Sequence, residues 1–217
     1  MTDCSDQIIN CRGRAILRDF IISCTGGDAP IEKFDSLTKL YCEVNSIINI
    51  SALKNADDIY VKHYLDSIVP YKHFFGECCD VGCGGGFPCL PLAIITGLNF
   101  TGVESVGKKL LLIKRCASEL GIKNIRSEYA RAEELAKLHR SYDTVCARAV
   151  ADTDKVLSYC APLAKNGGQV ILYKTPRDTA ASSAVCKKLK VELCDTIDYV
   201  LPQTDISRRL FIYKKSV

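Results

Sequence analysis

From Cys78 onward the chain alternates short apolar runs with longer stretches in which apolar residues recur at helical spacing. The runs ECCDV, FTGVES, IRSEYA, DTVCARA and GQVILYK each have the length and composition of a strand. Between them, GKKLLLIKRCASELG puts Leu110, Ile113, Ala117 and Leu120 on one face and its charges on another, with Gly121 placed to end the helix. TDKVLSYCAPLAKNGG repeats the pattern, and Asn166-Gly167-Gly168 is its predicted stop. Alternation of this kind predicts an α/β fold with a mostly parallel sheet covered by helices on both faces. The last two apolar segments, VELCDTIDYVLP and RRLFIYKK, have no helical stretch between them. They predict an antiparallel hairpin closing one edge, for seven strands in all.

The chain before Cys78 reads differently. IEKFDSLTKLYCEVNSIINI and DDIYVKHYLDSIV show helical spacing, Asp57 or Asp58 could cap the second helix, and no strong strand signal appears. The predicted organisation is an N-terminal helical extension over 1–75 and an α/β domain over 76–217.

Composition narrows the class. A chain of 217 residues suits one large domain with an appendage, and its 47% hydrophobic content is ordinary for a globular protein. No apolar run approaches the roughly 20 residues that span a bilayer. The start, MTDCSDQIINCRGR, lacks the pattern of a secretory signal. A cytoplasmic monomer with no membrane partner is expected. The net charge of +4 is uneven: residues 108–140 hold nine Lys or Arg against four Asp or Glu, and residues 174–217 hold nine against five. Either stretch could face a polyanion or be an ordinary solvated surface. The thirteen cysteines have no C-x-x-C spacing and no His cluster beside them. No metal site is expected. The thiols read as small apolar side chains, with a redox or metal role as the alternative.

The sharpest chemical signal is CDVGCGGGFP, Cys79 to Pro88, directly after the first predicted strand. Gly82, Gly84, Gly85 and Gly86 remove side chains where a ligand would approach the carboxyl end of the sheet. A phosphate loop would need Lys-Ser or Lys-Thr after the glycines, and none follows. A dinucleotide loop would need a third glycine where Phe87 stands. The pattern is Asp-x-Gly-x-Gly-x-Gly, with Glu104 at the end of the second strand, 22 residues after Gly82. A carboxylate there can accept hydrogen bonds from both ribose hydroxyls of a nucleoside. This combination resembles the S-adenosylmethionine loop of Rossmann-like class I methyltransferases. An NAD-dependent oxidoreductase is the weaker alternative.

Further stretches carry a closer resemblance. KHYLDS (Lys62 to Ser67), DVGCGGGFPCLPLAI (Asp80 to Ile94), ESVGKK (Glu104 to Lys109), ARAEEL (Ala130 to Leu135), ARAVA (Ala147 to Ala151) and Tyr173-Lys174 occur in one order and spacing. Together they resemble the RsmG (GidB) family, which methylates N7 of one guanine in 16S ribosomal RNA of the small subunit. The resemblance implies S-adenosyl-L-methionine as cofactor and 16S rRNA or the small subunit as partner. It places Gly82, Gly84, Gly86 and Phe87 in the cofactor loop and Glu104, with Ser105 beside it, at the ribose. Ala132 and Glu133 fall beside the adenine. Arg148 matches an arginine near both cofactor and guanine. The chain departs from the family pattern at Val44, where a Trp is usual, and at Glu104, where Asp is commoner. Two other readings remain: a methyltransferase for another RNA site or a small molecule, and a non-catalytic RNA-binding module.

For the chemistry, Arg148 is the candidate catalytic residue. Its fork could bind guanine O6 or a phosphate, or could serve a structural ion pair. His63 and Asp66 stand three apart on one predicted helix and read as a structural hydrogen bond. Lys108, Lys109, Lys114, Arg115 and Arg131 are candidate RNA phosphate contacts.

Overall fold

The computed structural model describes residues 8–148 and 152–216. Cys4 and the Ala149–Ala151 end of one motif lie outside the described residues. The seven strands are β1 (Cys78–Val81), β2 (Phe100–Glu104), β3 (Ile125–Tyr129), β4 (Tyr142–Arg148), β5 (Ala164–Lys174), β6 (Val191–Val200) and β7 (Ser207–Lys215). They form one sheet in the order β3-β2-β1-β4-β5-β7-β6. The first five pair in parallel, and β7 runs antiparallel between β5 and β6. All seven predicted strands are present, and the C-terminal hairpin closes one edge.

Period-two alternation sends the two sides of each strand into different cores. Cys146, Ile171 and Tyr173 face one cluster, shared with Leu17, Phe34, Leu37, Tyr64, Leu90 and Ile113. Val145, Val170 and Leu172 face the other, with Leu135, Val156, Leu157 and Tyr213. The first cluster is covered by α1 (Arg12–Thr25), α2 (Ile31–Ile48), the helical segment α3 over 56–68, α4 (Cys89–Thr96) and α5 (Leu111–Glu119). The second is covered by α6 (Ala132–Lys137), α7 (Thr153–Cys160) and α8 (Ser183–Leu189). The helices before β1 therefore share one continuous core with one face of the sheet. Among the described cysteines, Cys78, Cys79, Cys83, Cys89, Cys116, Cys146 and Cys160 are buried, and none of these seven is in a disulfide. They fill the interior as small apolar groups.

Two local expectations are corrected, the cap of α3 and the stop after α7. The cap of α3 is Asn55, not Asp57 or Asp58: its side chain accepts from the backbone N–H of Asp58 at 2.8 Å. Within α3, Ile59–Leu65 is π-helical, flanked by single α turns. The predicted stop at Asn166-Gly167-Gly168 lies inside β5. The α7 helix has already passed into a 3-10 turn at Ala161–Leu163, where Pro162 has no N–H to continue it. Gly167 instead takes φ +75° where the pairing of β5 with β4 shifts register. No helix among the described residues is long and apolar enough to cross a membrane.

Candidate active site

The β1 strand ends in the glycine loop, and β2 delivers Glu104 beside it. Gly82, Gly84 and Gly86 have φ of +70°, +55° and +99°, conformations that L side chains rarely adopt. They fold the loop so that the Gly84 N–H donates to Glu104 Oε2 at 3.1 Å. The Val106 N–H donates to Oε1 of the same carboxylate at 2.9 Å. Ser105 Oγ lies 3.4 Å from Oε1. Two backbone amides thus aim a buried carboxylate at the end of the sheet. A Cβ built on Gly84 would meet nothing within 4 Å, so this part of the loop borders open space. At Gly85 the reverse holds: a Cβ would come within 2.5 Å of Ile50 Cγ2. Gly85 lets the segment after α2 close directly onto the loop.

Beside Glu104 lies a cleft of about 160 Å³. Gly82, Glu104, Ser105, Ala132 and Glu133 line it, all named from the sequence. Val81, Val103, Ala130, Arg131 and Tyr159 complete the lining. The apolar members suit a flat heterocycle, and the carboxylate suits hydroxyl groups. Tyr159 comes from α7, and no local sequence pattern marks it. Gly84, Gly86, Phe87 and Arg148 are not among the lining residues. Two larger cavities, of about 600 and 320 Å³, involve α1, α3 and the β6–β7 turn in one case and α2 with the segment after it in the other. Neither touches the glycine loop.

Asp80, the first residue of the loop pattern, is fully buried. Its Oδ2 accepts from the Cys89 N–H at 3.1 Å, which holds the start of α4. Its Oδ1 has no partner among the described residues. Burial pushes its carboxyl up to about 6, against the pull of the Cys89 N–H and the Arg148 charge.

Arg148 ends β4 with its side chain largely buried. It donates to the Lys62 carbonyl at 3.1 Å and to Asp66 Oδ2 at 3.4 Å, and Nη2 lies 3.3 Å from His63 Nδ1. Arg208 from β7 holds the other oxygen of Asp66 at 2.9 Å. Arg148 is thus engaged with the carboxylate of Asp66 and with the backbone of α3. His63 and Asp66 do not bond each other as read from the sequence; both converge on Arg148. Burial, with the neighbouring Arg148 charge, pushes the His63 imidazole down to about 3, so it is neutral. An arginine donor at Nδ1 leaves the proton on Nε2, which is buried and has no partner among the described residues. Phe87 stacks on His63 rather than facing the cleft. Arg115, a candidate phosphate contact, pairs with Glu119 and Glu43. Among the described residues no group of three or more His, Cys, Asp or Glu could hold a metal ion.

The parallel sheet with its antiparallel hairpin, the glycine loop after β1 and the carboxylate ending β2 define a Rossmann-like class I methyltransferase fold. TehB from Haemophilus influenzae has the same fold, with 14% identity and a TM-score of 0.51 over 82% of this chain and 67% of that one. So does YcgJ from Bacillus subtilis, with 14% identity and a TM-score of 0.54 over 71% of this chain and 100% of that one. Residues 30–211 match the model of the GidB family, rRNA small subunit methyltransferase G, and the chain belongs to that family. Ribosomal RNA small subunit methyltransferase G of Pseudothermotoga lettingae is 36% identical over 87% of this chain and 84% of that protein. The Staphylococcus epidermidis protein of the same name is 34% identical, over 85% and 81%.

Proposed function

We propose that the protein transfers a methyl group from S-adenosyl-L-methionine to N7 of a guanine in 16S rRNA of the small ribosomal subunit. The observation that carries the cofactor reading is the Glu104 carboxylate, fixed by the Gly84 and Val106 N–H groups at the head of a cleft with apolar walls. Glu104 would take the ribose hydroxyls, with Ser105 beside it. Val81, Val103, Ala130 and Ala132 would flank the adenine, and Glu133 would lie at its edge. The open side of Gly84 leaves room for the amino-acid end.

Bound S-adenosylmethionine supplies a methyl group made electrophilic by its sulfonium. Guanine N7 carries a lone pair in the plane of the ring, so no proton has to leave before attack. The chain needs no general base, and its contribution is alignment and electrostatics. Asp80 is fully buried behind the loop, where its Oδ2 holds the start of α4. Arg148 acts as a positioning residue, joining the end of β4 to α3. A monomer acting on ribosomal RNA in the cytoplasm is part of this proposal.

The test is methyl transfer from labelled S-adenosylmethionine to small subunits lacking N7-methylguanine, followed by nucleoside analysis. Label in N7-methylguanosine is expected. Cofactor binding without any label in rRNA would move the substrate elsewhere.

A further inference from the structure

Tyr129 ends β3 and pairs in register with Glu104, the carboxylate of the cleft. It is 72% exposed, the highest among the described Phe and Tyr residues. A Cβ built on Gly107 would lie 3.4 Å from Cδ2 and Cε2 of the tyrosine, so one side of the ring rests against that glycine. Val106, 38% exposed, adjoins Gly107 in the chain. Cations near in the chain include Lys108, next to Gly107, and Arg131, two residues after Tyr129. Both are exposed, and neither forms a salt bridge among the described residues. Arg131 also lines the cleft.

We infer that Tyr129 is a stacking platform for an unpaired base of the RNA, with Lys108 and Arg131 taking the flanking phosphates. Exposed aromatic rings between free cations are how proteins hold single-stranded nucleic acid, because every base has a π-face and every linkage a negative charge. The ring is propped by Gly107, so little conformational freedom is lost when a base lands on it. It pairs in register with Glu104, the residue proposed to hold the ribose, so a base held here would lie beside the cleft. The inference rests on the rRNA reading above and extends it to a second contact outside the cleft.

The experiment is steady-state methyl transfer to unmethylated small subunits by the wild type, Tyr129→Ala, Tyr129→Phe and Lys108→Ala, with S-adenosylhomocysteine affinity measured in parallel. Tyr129→Ala should raise KM for the subunit about tenfold, leaving kcat and S-adenosylhomocysteine affinity unchanged. Tyr129→Phe, which keeps the π-face, should match the wild type. Lys108→Ala should reduce the slope of log affinity against log salt concentration, and Tyr129→Ala should not. An active wild type with an unchanged KM in Tyr129→Ala overturns the platform alone. So does a loss of S-adenosylhomocysteine affinity, which would assign the ring to the cofactor. A photoreactive phenylalanine analogue at 129 that crosslinks to a ribosomal protein rather than RNA also overturns it. A wild type that methylates no small-subunit RNA removes the rRNA reading, and the platform with it.

Discussion

The His63 imidazole lies flat on the Phe87 ring, with centroids 4.3 Å apart and planes within 6° of each other. One ring belongs to α3 and the other to the end of the glycine loop. Tyr41 meets both edge-on, at 5.4 and 6.0 Å. The Arg148 guanidinium lies 5.9 Å from the Phe87 centroid. Three segments distant in the chain are thereby fixed around the loop. Phe87, which takes the place of the third glycine in a dinucleotide loop, anchors the helical extension instead.

Removing Arg148 should expose how these contacts are coupled. Arg148→Met leaves Asp66 with Arg208 as its one remaining ion-pair partner and should cost about 2 kcal/mol of stability. Asp66→Asn should cost less in that background than in the wild type, because part of what it removes is already gone. Urea denaturation of the four proteins in the cycle measures this. Strictly additive costs would mean that the pair is not an energetic unit.

His63 makes stability depend on pH in one direction. Its folded value is about 3, below the ordinary 6.5, so the unfolded chain takes up the proton first on acidification. The contribution is complete above about 6.5 and is lost as pH falls toward 3, at up to about 1.4 kcal/mol per pH unit. His63→Phe keeps the stack and removes the titration. Its stability relative to the wild type should rise steadily from pH 7 to pH 5, and a constant difference would contradict the buried neutral state.

Asp80 acts in the opposite sense. Its folded value of about 6 lies above the ordinary 3.8, so the folded protein holds the proton more tightly. The stability it contributes is complete below about 3.8 and is lost as pH rises through 6. Asp80→Asn resembles the protonated carboxyl. Thermal denaturation should therefore show the variant gaining on the wild type as pH rises from 4 to 7. No change in the difference across that range would show that the carboxylate is not penalised by burial.

Glu104 and Gly84 test the cofactor cleft. Glu104→Gln preserves size but loses the charge offered to two hydroxyls, and should weaken S-adenosylhomocysteine binding at least tenfold, as read by calorimetry. Gly84→Asp adds a side chain at φ +55° and a second carboxylate beside Glu104, and should abolish binding. Wild-type affinity in either variant would displace the cofactor from this cleft.

The strands, their alternation with helices and the closing hairpin were legible because each is a local matter. Period two in β4 and β5 and helical spacing in α5 are written in consecutive residues. So was the half of the cleft made at or soon after strand ends, namely Gly82, Glu104, Ser105, Ala132 and Glu133. A parallel sheet carries the residue after each strand to one edge, whatever the rest of the chain does. Tertiary structure alone decided the remainder. Tyr159 reaches the cleft from a helix whose outward face has no distinctive pattern. That the fork of Arg148 meets a carboxylate depended on Asp66, 82 positions away in the chain, which Arg208, 60 positions away, also holds. Nothing in the sequence near Arg148 encodes that contact. It follows from burial, since a guanidinium enclosed by packed helices must be matched by the carboxylate and carbonyls that enclose it.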